Sequence, residues 1–178
     1  MREEKNPIPQ LLVTEAIREL MNRYEGLADR DKHIFNQIFN FGKKPGFALI
    51  AQLCRTGLDY DTAEDACKYV ATKFSQTVFG IQAKLIFNST DKTFQLQFTD
   101  KLPSWFDSLV VPGKQTQQDD FWIKAYAHFI SGVFSGALLQ FGYKVTMSNK
   151  DDDKLGKPLC LSFCYEKLLG TWEFSSNY

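Results

Sequence analysis

The sequence predicts an α+β fold in which helices pack on one face of a four-stranded antiparallel sheet. Apolar residues first recur every three to four positions over three segments, which is the period of amphipathic helices. The period then changes to two, returns to helical spacing in one long segment, and changes to two again. The predicted order is therefore α-α-α-β-β-α-β-β. Because each strand has one apolar face, that face is expected to lie against the helices.

The first predicted helix begins near Pro9, which suits a first helical turn, and Gly26 ends it. A second helix begins near Asp31 and runs to Gly57. Since proline lacks an amide donor and clashes with the preceding turn, we expect this helix to kink or restart at Pro45. The apolar stripe of the first helix consists of Leu12, Val13, Ala16, Ile17, Leu20, Met21 and Tyr24.

The third predicted helix starts at a capping box, in which Asp65 follows Thr62 at the required spacing, and Gly80 closes it. The next segments alternate apolar and polar residues around turn-forming residues 88–92, which predicts a β-hairpin. One face of this hairpin is apolar and the other is polar, so we expect only one face to be covered.

The longest helix is predicted over about 119–141, and apolar residues cover most of its circumference. It should therefore be the most buried element. Gly132 and Gly136 form a small-x-x-x-small pair that allows another backbone to approach closely. A second hairpin follows, with a charged loop at 149–157. The predicted boundaries are a flexible arm at 1–8, one domain at 9–170 and a tail at 171–178.

Composition and charge exclude some classes of function. The chain has 21 basic and 21 acidic residues, without the basic excess that is typical of nucleic-acid-binding proteins. No run reaches the ~18–20 apolar residues that span a bilayer, and the charged start lacks an apolar signal core. We therefore expect a soluble, cytoplasmic protein with reduced thiols. Its four cysteines, none in CxxC spacing, are Cys54, Cys67, Cys160 and Cys164.

Nothing in the sequence points to catalysis, a cofactor or a metal. His128 lies in the buried helix, where a structural histidine is the favoured interpretation, and His33 is expected to be solvated. The acidic run 151–153 lacks the ligand spacing of a calcium loop and is interpreted as a solvated hairpin tip. The sixteen Phe residues imply either a ring-rich core or apolar surface kept for a partner. For the first two helices, both possibilities remain open.

Three strings give the chain a resemblance to a known family. They are Phe41 to Ile50, Phe74 to Gly80, and the long-helix string Tyr126 to Leu138. Over about residues 10–168 the chain resembles the blocked-early-in-transport family of small subunits in the transport protein particle (TRAPP). The resemblance implies a non-catalytic subunit without a cofactor, which forms a heterodimer with a sister subunit in a vesicle-tethering complex. That complex would activate a Rab GTPase in endoplasmic reticulum to Golgi transport, at the cytoplasmic side of the cis-Golgi or endoplasmic reticulum.

In this family, subunits pair through their first two helices, and some carry an acyl chain on a cysteine of the second helix. Phe47 occupies that position here, so the chain is expected to resemble the non-acylated subunits, of the five or six type. We expect Ile38→Asp to abolish partner binding without unfolding the monomer. A sensor that binds a small hydrophobic ligand is the alternative function. The residues expected to contact a sister subunit are Leu12, Ala16, Ile17, Leu20, Phe35, Ile38 and Phe39.

Overall fold

The computed structural model describes residues 8–54, 60–99, 117–148 and 159–168. The predicted arm, the 149–157 loop and the predicted tail lie outside these ranges or almost entirely so. The elements in chain order are α1 (Ile8–Arg23), α2 (Arg30–Leu53), α3 (Ala63–Tyr69), a π-helical turn (Val70–Phe74), α4 (Ser75–Phe79), β1 (Lys84–Asn88), β2 (Thr93–Phe98), α5 (Gln117–Gln140), β3 (Tyr143–Met147) and β4 (Leu159–Lys167).

The four strands form one antiparallel sheet in the order β1-β2-β4-β3. Each predicted hairpin is present, and the two are joined at the centre of the sheet through β2 and β4. In that register Leu96 lies between Leu85 and Leu161. Alternate residues of β2 are buried while their neighbours are partly exposed, so one face of the sheet covers the core. The predicted α+β class and element order are confirmed.

Helix α5 is the centre of the fold. It packs against α2 and also contacts β3, where the Ser135 hydroxyl donates a hydrogen bond to the Val145 carbonyl oxygen at 2.9 Å. Every residue from 129 to 138 is buried. This confirms the prediction that the long helix is the most buried element. Within the described residues, no helix is long and apolar enough to cross a membrane.

The expected restart of the second helix at Pro45 is wrong, because α2 runs without a break from Arg30 to Leu53. Proline inside a helix costs about 3 kcal/mol through the lost hydrogen bond and the clash with the preceding turn. Gly42 and Gly46, on either side of the proline, are both buried against α5. Tertiary packing on both sides of Pro45 therefore holds the helix together.

The third helix begins as predicted. The Thr62 hydroxyl oxygen accepts a hydrogen bond from the Asp65 amide at 3.1 Å, and the same hydroxyl donates to the Asp65 carboxylate. Gly80 ends α4 with a φ of 72°, a left-handed conformation that favours glycine. The π-helical turn was not predicted. Within that turn, the Ala71 carbonyl oxygen accepts a hydrogen bond from the Ala83 amide, just before β1.

Candidate functional site

The inner side of α2 is built for close backbone contact with α5. Gly42 and Gly46 face Gly132 and Gly136, and contacts advance in the same direction along both helices, so the helices run parallel. A Cβ added at Gly46 would overlap the Val133 carbonyl group. Because the obstacle is backbone and not a flexible side chain, nothing at this contact can move aside cheaply.

The sequence indicated one half of this contact. The spacing of Gly132 and Gly136 predicted that another backbone would approach α5, but it did not identify which one. Gly42 and Gly46 repeat the same four-residue spacing on α2, and this was the available signal. The matched glycine pairs fix α2 firmly against the core, and therefore also fix the position of the other sides of α2.

One flank of α2 carries a row of side chains at four-residue spacing: Phe35, Phe39, Lys43 and Phe47, which we call the α2 flank. Phe35 stacks on the ring of His128, with centroids 4.7 Å apart, and contacts Phe121 at 5.4 Å. Phe39 is 9% exposed, and the Lys43 ammonium lies 4.7 Å from its ring centroid. Phe35, Lys43 and Phe47 are partly exposed. The flank is thus held by the core without being covered by it.

Helix α1 is joined to the core at a polar contact. The Thr14 and Tyr126 hydroxyl groups are hydrogen-bonded at 2.5 Å, and Tyr126 lies on α5. Burial raises the pKa of Tyr126, and the hydrogen bond between Tyr126 and Thr14 opposes that shift. Val13 and Ile17 face the core, whereas Leu12 is 62% exposed. The orientation of α1 therefore leaves an apolar side chain in solvent.

The predicted interface residues divide into two groups. Leu12 is exposed, and Ala16, Leu20 and Phe35 are partly exposed, so these four side chains are available to a partner. Phe39 keeps a narrow exposed edge. Ile17 and Ile38, by contrast, are 0% exposed in the single chain. These two are core residues, and their assignment to an interface is corrected here, because a side chain with no exposed surface has none to offer a partner.

The same burial overturns the expected behaviour of Ile38→Asp. A carboxylate at this position would be buried among apolar side chains without a partner, at a cost of several kcal/mol. We therefore expect this variant to unfold, not to remain a folded monomer. Leu12 is the suitable position for a test that separates binding from folding.

Sequence reasoning missed several exposed apolar side chains. Leu11 on α1 is 58% exposed and Phe41 on α2 is 46% exposed, although its ring contacts Phe129. Leu27, in the turn between these helices, is 50% exposed. Leu11 and Leu27 fall outside the apolar stripe, and isolated apolar residues give little signal. Leu11 is next to Leu12 in the sequence and adds to the exposed apolar surface near the start of α1, whereas Leu27 lies beyond the end of that helix.

The two histidines and the buried Cys67 are held by contacts within the fold. His128 is bound through Nδ1 to the Lys124 carbonyl oxygen at 2.8 Å, as expected for a structural histidine, and exposed His33 stacks on Tyr24. Burial raises the pKa of the Cys67 thiol to about 12, which leaves it protonated and unreactive at neutral pH. Nowhere in the described ranges do three His, Cys, Asp or Glu residues cluster as a metal site would require.

Comparison with known proteins relates the chain to a protein family and to solved structures. A family model described as "Transport protein particle (TRAPP) component" matches residues 9–159. Among solved structures, the chain is similar to the trafficking protein particle complex subunit 3 from Naegleria fowleri covalently bound to palmitic acid. The TM-score is 0.68 with 18% sequence identity, over 94% of this chain and 100% of that chain. At this identity the likeness shows the fold alone. No curated protein matches the chain in sequence.

Proposed function

The chain belongs to the TRAPP component family and is thus a subunit of a vesicle-trafficking complex, and we propose that it pairs with a sister subunit through α1 and the α2 flank. The resulting heterodimer contributes to an assembly that activates a Rab GTPase in endoplasmic reticulum to Golgi transport. The chain acts there as a non-catalytic scaffold. It reaches the cis-Golgi or endoplasmic reticulum from the cytoplasm, and only through the complex.

The observation that carries this proposal is the exposed apolar surface of α1 beside a rigid α2. Leu12 is 62% exposed and Phe35 is held in place by stacking on His128. Aromatic and aliphatic anchors that are already ordered lose little conformational entropy on binding, which favours a stable interface. Since the glycine contact fixes α2 against α5, the anchors are presented by a base that does not have to rearrange.

We further propose that the chain carries no acyl group at the position that the family resemblance identifies. Phe47 stands there, and a phenyl ring cannot form a thioester. This proposal sets the chain apart from the Naegleria protein, which was solved covalently bound to palmitic acid. A subunit of the non-acylated type, five or six, is the matching assignment.

No specific observation favours the alternative function, a sensor for a small hydrophobic ligand. The rings of Phe74, Phe79 and Phe98 surround Phe134, with centroid distances of 6.2, 5.4 and 6.2 Å. The chain's own side chains thus occupy the interior around Phe134. If the chain were instead a sensor for a hydrophobic ligand, native mass spectrometry of the purified chain would detect that ligand bound.

Affinity purification of the full chain from its own cells tests the proposed function. The tagged wild-type chain is expected to bring other TRAPP subunits with it, and Leu12→Asp is expected to lose them. The matched control is Ile86→Asp, because Ile86 on β1 is also exposed, at 43%, but lies on the sheet. Absence of TRAPP subunits from the wild-type sample would refute the proposal. Equal recovery with both variants would refute the assigned surface.

A further inference from the structure

Lys43 is the charged member of the α2 flank. It follows Phe35 and Phe39 at the same four-residue spacing, and its ammonium group lies over the Phe39 ring. The side chain is only partly exposed, whereas the next residue, Lys44, is exposed. Lys43 is therefore a cation held within an apolar row, at the edge of the core.

No acidic side chain of the described residues forms an ion pair with Lys43. Burial lowers the pKa of this amine, and the nearby positive charge of Lys144 on β3 lowers it further. Across the described ranges the two ion pairs both lie within α1, between Glu15 and Arg18 and between Glu19 and Arg23. Glu166 on β4 is the residue paired with Lys144 in the sheet register. It forms no ion pair with Lys43 or Lys144.

A partly desolvated cation is unfavourable without a counter-charge. The contact with the Phe39 ring offsets only part of this, since such contacts contribute about 0.5–2 kcal/mol. A carboxylate would complete the site, because it can accept a charge-assisted hydrogen bond from the Lys43 amine. It would also restore the pKa of Lys43 toward its ordinary value, since an opposite charge favours the protonated amine.

We propose that Lys43 receives an Asp or Glu side chain of the sister subunit. This inference rests on the proposed function, because it assigns a charged contact to the interface formed by the α2 flank. Lys43 supplies the charge complementarity, and Phe35 and Phe39 supply the adjoining apolar contact. A membrane surface is the less favoured occupant, since anionic lipids attract exposed lysines such as Lys44 at least as strongly as a partly buried one.

Carbodiimide cross-linking of the affinity-purified complex tests the contact directly. The reagent activates a carboxyl group, a touching lysine amine attacks it to form an amide bond, and the reagent leaves as its urea, having taken up the oxygen. Mass spectrometry should find Lys43 joined to an Asp or Glu of another subunit. Lys43→Arg keeps the charge but removes the reactive amine, so the Lys43 cross-link should disappear while the subunits still co-purify.

Affinity measurements on matched variants supply the second readout. Lys43→Met keeps most of the side-chain volume and should weaken sister-subunit binding by at least about tenfold, with a weaker dependence on salt. Lys44→Met removes the same charge one residue away and should bind as the wild type does. Circular dichroism and thermal unfolding establish that each variant is folded before its affinity is compared.

Several outcomes would overturn the inference. One is equal affinity for Lys43→Met and Lys44→Met while sister subunits still co-purify, which leaves the proposed function intact. Others are Lys43 cross-links confined to its own chain or to a second copy. Loss of binding to phosphatidylserine-containing vesicles by Lys43→Met, with subunit binding unchanged, would make the membrane the occupant. If no TRAPP subunit co-purifies with the wild-type chain, the proposed function fails and this inference fails with it.

Discussion

Two sides of the same helix, α2, repeat with the same spacing and serve different purposes. The inner side places Gly42 and Gly46 against the backbone of α5, where any added side-chain atom would overlap it. The α2 flank places large side chains, Phe35 and Lys43 among them, in partly exposed positions. Residue spacing locates a face of a helix, but residue size and burial decide whether that face serves folding or assembly. Substitutions on the two sides should therefore have separable effects.

The largest effect is expected at the glycine contact. Gly46→Ala would force α2 away from Val133 and should cost at least about 3 kcal/mol of unfolding free energy, or prevent folding. Gly142→Ala is the control, because Gly142 has a φ of 80° with open space around it and should cost about 1–2 kcal/mol from backbone strain alone. Urea denaturation gives both values. Equal costs would contradict the proposed tight contact.

The next effect concerns a thiol on the inner side of α3. The pKa of Cys67 rises from 9.0 to about 12 on burial, so the folded state keeps the proton that the unfolded chain loses. The buried thiol therefore makes its full contribution to the unfolding free energy below pH 9. The unfolding free energy falls as pH rises from 9 toward 12, with a slope on the order of 1 kcal/mol per pH unit. Cys67→Ala should flatten the pH dependence of the unfolding free energy over this range.

The matched control for this experiment is Cys164→Ala, since Cys164 is exposed on β4. Its substitution is expected to leave the alkaline slope of the wild-type chain in place. If both variants retain the full slope, the buried thiol does not contribute to alkaline unfolding. If both lose it, burial is not the cause.

A smaller effect separates two buried serines of α5. Ser135 donates a hydrogen bond to Val145, so Ser135→Ala should cost about 1–2 kcal/mol. The Ser131 hydroxyl is fully buried and has no hydrogen-bond partner in the described part of the chain. Ser131→Ala should therefore be neutral or slightly stabilising. Thermal unfolding of the two variants measures the difference, and a cost for Ser131→Ala equal to that for Ser135→Ala would show that Ser131 has a partner.

The smallest effect on stability is expected on the exposed face of α1, which we propose to form the interface together with the α2 flank. Leu12→Asp places a charge on a side chain that is 62% exposed and should change the unfolding free energy by about 0.5 kcal/mol or less. Partner binding should nevertheless be lost. A destabilisation comparable to that of Ser135→Ala would indicate that Leu12 contributes to the fold, and the contrast between the two sides would then be weaker than proposed.

Local patterns in the sequence were sufficient to predict much of the fold. The change of period from helical to alternating predicted all four strands in their places, and the Thr62–Asp65 spacing predicted a cap that the hydrogen bonds confirm. The Gly132–Gly136 spacing predicted a close backbone approach, which is also present. Each of these signals depends on residues within a few positions of one another.

Features that depend on distant contacts could not be predicted in this way. Pro45 lies in an unbroken helix because α5 holds both sides of it, and the π-helical turn uses a hydrogen bond from Ala83. Leu12 and Ile17 belong to the same apolar stripe, yet only the fold shows that one is exposed and the other is buried. A wide stripe does not by itself distinguish core from interface.

Hydrogen–deuterium exchange on the free chain and on the purified complex tests the central claim most directly. Binding through α1 and the α2 flank predicts slower amide exchange over Leu11–Met21 and Phe35–Phe47 in the complex. Amide exchange over β1, which is the edge strand opposite β3, should not change. Slower exchange over β1 with no change over α1 would place the partner on the sheet and contradict the account.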